Sequence, residues 1–188
     1  MKIRLLSDLH MEGYKFIYKD AGEDVLVLAG DIHTHDRHEE ILDQIPDHVR
    51  VVLVPGNHEY YHSIFERVNE HLKSLETIYP NLKVLLNEDW SYQGVEFFGG
   101  TMFTNFNLFG DEPVAREAAR NSINDFRNIL TYGEEEFKTA TVPLHARMWG
   151  VDDHEAQHRK FCSKLRGWLS TTVRQKRVVI SHFVPHLK

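Results

Sequence analysis

Two unbroken apolar runs constrain this chain most: Val25 to Ala29 (VLVLA) and Val51 to Val54 (VVLV). A strand with one face in water would alternate apolar and polar residues. Continuous runs rich in β-branched residues suit strands covered on both faces, as in a parallel sheet between two layers. Ile3 to Ser7 reads as a further buried strand that ends in a polar turn. Asp36 to Pro46 sets Ile41, Leu42 and Ile45 at helical spacing, and Ser63 to Tyr79 carries Ile64, Val68, Leu72 and Leu75 on one face. Ser63 with Glu66 three residues later predicts a capping box. Alternation of strand and helix argues for α/β units.

Further along, Leu82 to Leu86 is a strand candidate, and Tyr92 to Gly99 is part of a hairpin turning at Gln93-Gly94. Pro113 to Asn128 reads as a helix with the proline in its first turn. Residues 131 to 150 read as a loop with helical pieces, Asp152 to Thr172 as a helix and Arg177 to Ile180 as a last strand. With no repeat and no Gly/Pro-rich linker, residues 1–188 are expected to form a single domain.

The apolar fraction, 41%, is enough for a sizeable core, and the net charge of −6 argues against a general nucleic-acid glove. A phosphate-bearing substrate stays possible, because a bound metal brings positive charge locally. The lone Cys162, read as a small packed residue on a helix, forbids an internal disulfide and fits a reducing compartment. The apolar run in MKIRLLSDLH is too short for a signal peptide, and no stretch nears the roughly 20 apolar residues of a membrane span. A cytoplasmic protein without membrane contact is the expectation.

The chain has 13 histidines, and histidine is the commonest metal ligand near neutral pH, so their spacing matters. Four clusters share one placement, each just after an apolar run: Asp8-Leu9-His10, Gly30-Asp31, Gly56-Asn57-His58-Glu59 and Ser181-His182. Ligands of α/β sheets bind beyond the carboxyl ends of the strands, so the four clusters converge there. Asp8 and His10 are two apart and in extended backbone point the same way, able to grip one metal. Gly30 lets the chain turn tightly before Asp31, whose two carboxylate oxygens can bridge two cations. Asn57 offers an amide oxygen and His182 a ring nitrogen. A mixed N/O set without thiolate fits Mn, Fe or Zn. Two such metals, about 3.5–4 Å apart, activate a water and hold a phosphate for in-line attack. His58 is left over as proton donor to the leaving oxygen, with Glu59 to orient its ring.

Each cluster alone has an ordinary reading as a turn or a surface histidine; all four in this order point to chemistry. His33, His35 and His62 are secondary candidates for metal or substrate contact, with a solvated loop the preferred reading for His33 and His35. His154 and His158, four apart on a helix, are assigned to a solvated face. Arg116, Arg120 and Arg127 are read as helix-surface charge, and Glu134 to Glu136 as an exposed acidic run. A histidine-rich metal-storage protein is disfavoured because the histidines follow strand ends rather than forming a tract.

The pattern SDLH at 7–10, GD at 30–31, GNHE at 56–59 and SH at 181–182 resembles the calcineurin-like metallophosphoesterase superfamily. Segments 99–110 (GGTMFTNFNLFG) and 119–129 (ARNSINDFRNI) also resemble bacterial members of uncertain substrate. The resemblance implies a four-layer α/β sandwich, two β-sheets flanked by helices. It implies Asp8, His10 and Asp31 on a first metal, Asp31, Asn57 and His182 on a second, and His58 as catalytic acid. The family's later G-H-x-H motif, which adds a histidine to each metal, is not in this sequence. The expectation is therefore a sandwich lacking its C-terminal strands, with weakened metal binding that His186 replaces only in part. An exposed sheet edge is expected to favour self-association or a partner that supplies the missing piece.

Two functions follow as expectations. One is metal-dependent hydrolysis of a phosphoester of a small molecule or nucleotide, a diester in preference to a monoester. The other is an impaired or regulatory module of the same fold.

Overall fold

The computed structural model describes residues 1–34, 37–108, 110–133, 137, 145–171 and 176–185. The expectations for His35, His186 and the run Glu134 to Glu136 lie outside the described residues.

The apolar runs form one parallel sheet. Strands β1 (Ile3–Leu6), β2 (Val25–Ala29), β3 (Arg50–Val54) and β5 (Leu82–Val84) lie in the order β1-β2-β3-β5. Every residue of β2 is buried, and the two faces divide its side chains as strand pleating requires. Leu26, Leu28, Val51 and Leu53 enter one core with residues of helices α1 (Glu39–Leu42) and α2 (Phe65–Ile78). Val25, Val27, Ala29, Val52 and Val54 enter a second core.

That second core is closed by a mixed sheet of order β10-β7-β6, built from β6 (Glu88–Tyr92), β7 (Val95–Gly100) and β10 (Lys176–Ser181), through Val95, Phe97 and Ile180. Strands β6 and β7 form the expected hairpin, with Gln93 and Gly94 at φ of 45° and 76°, as a tight two-residue turn needs. The far face of β7 packs Phe98 and nearby Met102 against Phe161 of the last helix, α5 (Val151–Ser170). The layers therefore run helix, sheet, sheet, helix. A small third sheet of order β4-β8-β9 joins Ser63–Ile64, Ile129–Thr131 and Arg147–Met148. No helix among the described residues is long and apolar enough to cross a membrane.

Several local expectations are corrected. The β1 strand is not buried: it is a sheet edge, with Ile3 43% and Leu5 64% exposed. Ile3 and Leu5 pair with Val25 and Val27, so they point toward the second sheet; among the described residues that sheet ends at β10 and does not reach over them. Ser63 does not cap α2, because its backbone is drawn into a parallel pairing with Ile129. Glu66 is buried and turns to Thr131 Oγ1 (2.6 Å) and the Tyr132 N–H (3.1 Å) instead of the helix N-terminus.

The segment expected as one helix from Pro113 is two, α3 (Glu112–Ser122) and α4 (Asp125–Asn128), parted at Ile123 in extended backbone. His154 is fully buried rather than solvated, and the His158 ring meets the carbonyls of Met102 (3.2 Å) and Phe103 (3.0 Å). At these points the inner face of α5 carries imidazoles because one nitrogen of each ring meets oxygen, Asp125 for His154 and backbone carbonyls for His158. Arg116 is held by Asp152 and Glu155, and Arg120 by Glu117, in keeping with helix-surface charge.

Candidate metal centre

Strand β1 delivers Asp8 and His10, β2 delivers Asp31, β3 delivers Asn57 and His58, and β10 delivers His182. The backbone there is unusual. Asp8, His10 and Asp31 have φ of 56°, 44° and 54°, left-handed values uncommon outside glycine and costly unless the surroundings enforce them. The enforcement is visible: Asp8 N–H donates to the Gly30 carbonyl, His10 N–H to Asp31 and Met11 N–H to Ile32, each at 3.0 Å. Asp8 and His10 thus converge through left-handed turns rather than the extended backbone expected.

Donor atoms of Asp8, His10 and Asp31 lie within 4.8 Å of one another, and so do those of His10, Glu12 and His58. The two oxygens of Asp31 face different histidines. Oδ2 is 3.8 Å from His10 Nε2 and 4.0 Å from His58 Nε2, whereas Oδ1 is 3.4 Å from His182 Nε2 and accepts the His58 N–H at 2.9 Å. The other ring nitrogen of His182 meets the Ala29 carbonyl at 3.0 Å. Burial disfavours a charged His182 ring, but the Asp31 carboxylate outweighs it and pushes the pKa up to about 9. Burial likewise acts to raise Asp31, yet His182 and the His58 N–H hold its carboxyl below the ordinary range.

Two glycines make room for this packing. A Cβ on Gly30 would stand 2.5 Å from His182 Nδ1 and 2.7 Å from the Gly56 Cα; one on Gly56 would run into the Asp31 carboxylate and stand 2.9 Å from His182 Nε2. Carboxylate, imidazole and amide donors without thiolate suit a divalent cation of the Mn, Fe or Zn kind, and the glycine cradle leaves space for side chains to meet around one. The donor groups of Asp8, His10 and Asp31, and those of His10, Glu12 and His58, are close enough together to fit a cation.

Glu59 lies beneath the site, fully buried, and its carboxylate takes the N–H groups of Asp31 (3.0 Å), Ile32 (2.8 Å) and Gly56 (2.8 Å). Those backbone bonds engage both of its oxygens, so it does not orient the His58 ring as expected. That ring is stacked on Tyr61 at 4.2 Å and bonded through Nδ1 to Glu12 Oε1 at 3.2 Å. Glu12 also meets His10 Nδ1 at 3.1 Å; although burial acts to raise its pKa, its own backbone N–H and the two histidines keep its carboxyl low.

His33 is buried rather than in a solvated loop, with Nδ1 3.2 Å from the Thr34 carbonyl and Nε2 3.8 Å from Glu40. His62 is exposed beyond Tyr61, its ring 6.3 Å from that of Tyr61.

Residues that the sequence reading missed complete the site. Glu12 was detectable in principle, since it continues the alternation of Asp8 and His10. Tyr61 and Asp125 were not: Asn57 Nδ2 donates to Tyr61 Oη (3.1 Å) and to Asp125 Oδ1 (2.8 Å), and Asp125 lies 68 residues away.

The family model for the calcineurin-like phosphoesterases matches residues 1–178. A protein described as uncharacterized protein L509, from Acanthamoeba polyphaga mimivirus, is 26% identical over 161 residues, covering 74% of this chain and 56% of that protein. The chain thus spans little more than half the length of that relative. Phosphopantetheinyl hydrolase (PptH) from Mycobacterium tuberculosis superposes with a TM-score of 0.56 at 18% identity, over 97% of this chain and 68% of that one. At that identity the likeness shows a shared fold.

Proposed function

The chain belongs to the calcineurin-like phosphoesterase family, and we propose that it hydrolyses a phosphoester of a small molecule or nucleotide at a site for two divalent metal ions. The observation that carries the proposal is the divided carboxylate of Asp31. One oxygen faces His10 and the other His182, the arrangement a bridging ligand needs. Asp8 and His10 would hold one metal with Asp31, Asn57 and His182 would hold the other with it, and Mn, Fe or Zn would suit the donor set.

What bound metal ions supply to such a site is positive charge for the phosphoryl oxygens and a more acidic water. The protein's own groups do the rest. His58, beside Asp31 and held by Glu12 and Tyr61, presents Nε2 to the site and donates a proton to the departing oxygen. Glu12, outside the proposed ligand set, leaves a carboxylate at the exposed side, where a singly charged diester meets less repulsion than a doubly charged monoester; a diester is the proposed class. A cytoplasmic setting, inferred from the free Cys162, belongs to the same reading.

The test is turnover of an aryl phosphodiester and an aryl monophosphate, with and without Mn²⁺, by the chain and by Asp31→Asn. Metal-dependent cleavage favouring the diester and lost in the variant is expected. Cleavage that ignores metal, or none with metal in excess, overturns the assignment.

A second reading concerns the surface. Ile3, Leu5 and Val179 are exposed on β1 and β10, both edges of their sheets among the described residues. An apolar edge of this kind is a template for added strands, and we propose that a second copy or a further polypeptide covers it. Light scattering of the chain against Leu5→Lys tests this; a monomer at high concentration for both argues against self-association.

A further inference from the structure

Asp125 and His154 are a buried ionisable pair that the reaction does not use. Asp125 is 1% exposed and opens α4; His154 is 0% exposed, on the inner face of α5. His154 Nε2 meets Asp125 Oδ2 at 2.9 Å. The imidazole is boxed by aromatic rings, with Phe103 at 4.6 Å, Phe126 at 5.1 Å and Phe106 at 5.7 Å between centroids. A carboxylate in such surroundings is costly unless donors surround it, and here they do. Tyr61 Oη donates to Oδ1 at 2.8 Å, and Asn57 Nδ2 donates to the same oxygen at 2.8 Å.

The consequence falls on Asn57. An amide has a donor end and an acceptor end, and only its neighbours decide which way it points. One N–H goes to Asp125 and the other to Tyr61 Oη at 3.1 Å. The flipped amide would set its oxygen against the Asp125 carboxylate with no hydrogen between them. The donor end is therefore locked inward, and Oδ1 is the end left to serve a cation.

We propose that Asp125, held by His154, is a positioning residue that fixes the amide of Asn57 with its oxygen available to the second metal ion. The proposal rests on the reading of Asn57 as a metal ligand. It assigns to α4 and α5, which contribute no ligand, control of metal occupancy. A neutral substitute at 125 loses that control, because an amide side chain there can offer either end to Asn57.

The test is Mn²⁺ titration followed by calorimetry, with electron paramagnetic resonance to distinguish paired from isolated Mn²⁺, on the wild-type chain, Asp125→Asn and the double variant Asn57→Asp with Asp125→Asn. The double variant exchanges donor and acceptor across the same contact. The amide introduced at position 125 donates to the carboxylate introduced at position 57, which keeps an oxygen for the metal. Expected are two sites and a paired signal in the wild type, and a second site weakened by about 10–100-fold in Asp125→Asn, the usual cost of losing a partner that orients a ligand. Recovery is expected in the double variant. Unchanged melting would show that the single variant still folds. Wild-type binding at two sites with Asp125→Asn equally tight overturns the proposal alone, as does a folded double variant with no second site if the single variant does not fold. Wild-type binding at fewer than two sites overturns the metal-ligand reading and the proposal with it.

Discussion

His182 Nε2 stands 3.4 Å from Asp31 Oδ1, an ion pair that joins the end of β10 in one sheet to the end of β2 in the other. In the metal-free protein this pair holds a proton. Burial opposes the charge, and the Asp31 carboxylate prevails, so His182 titrates at about 9 against an ordinary 6.5. A raised histidine pKa stabilises the fold fully below 6.5 and ceases to do so as pH climbs through 9. The metal-free chain is expected to lose melting temperature between those values, and Asp31→Asn to lose less. An NMR titration of the imidazole checks the cause: a midpoint near 6.5 in the wild type would contradict it.

Gly56 touches the same pair from below. A Cβ at this position meets the Asp31 carboxylate and stands 2.6 Å from the Asp31 nitrogen, so Gly56→Ala must displace a ligand or its backbone. Overpacking of this kind costs about 1–3 kcal/mol. Calorimetry is expected to show that loss of stability together with weakened Mn²⁺ binding. An alanine variant that melts and binds as the wild type does would mean the strand ends are less tightly packed than the structure indicates.

The part of this protein legible in its sequence is the part written locally. Runs such as VLVLA announce covered strands because burial on both faces leaves no polar position, and the clusters after them fall where strand ends converge. Partner choice across long separations is not written locally. Glu66 has every local feature of a capping-box residue, and its hydrogen bonds go instead to Thr131 and Tyr132. His154 sits in a segment rich in charge, and only the folded chain shows the carboxylate of Asp125 against it. Spacing sets Asp8 beside His10, and their donor atoms do lie together, but the extended backbone it assumes is not there, since both residues are left-handed.

Glu59 shows how a buried carboxyl group supports a site from beneath, through the site's backbone. Its carboxylate accepts three backbone N–H groups, two flanking the turn at Asp31 and one at Gly56, and His38 Nε2 lies 3.6 Å away. Glu59→Ala strands those donors in the interior, where each unsatisfied group costs about 1–3 kcal/mol. Severe destabilisation is expected in chemical denaturation, with Glu59→Gln intermediate because its amide keeps one acceptor. Equal stability of the glutamine variant and the wild type would show that charge at this position is unimportant.

Glu12 gives the sharpest separation between binding metal and moving a proton. Its Oε1 lies 3.1 Å from His10 Nδ1 and 3.2 Å from His58 Nδ1, and the residue sits at the surface. A carboxylate on Nδ1 holds the orientation of each ring and so leaves Nε2 of His58 facing Asp31. Glu12→Ala removes that hold without opening a cavity, so stability should change by no more than about 0.5 kcal/mol. Expected in steady-state kinetics on an aryl phosphodiester is a fall in kcat of about tenfold or more, with KM and Mn²⁺ stoichiometry little changed. If Mn²⁺ stoichiometry drops instead, Glu12 is itself a ligand and the grouping of His10, Glu12 and His58 holds a cation. If neither kcat nor stoichiometry changes, His58 is oriented by its stacking on Tyr61 alone.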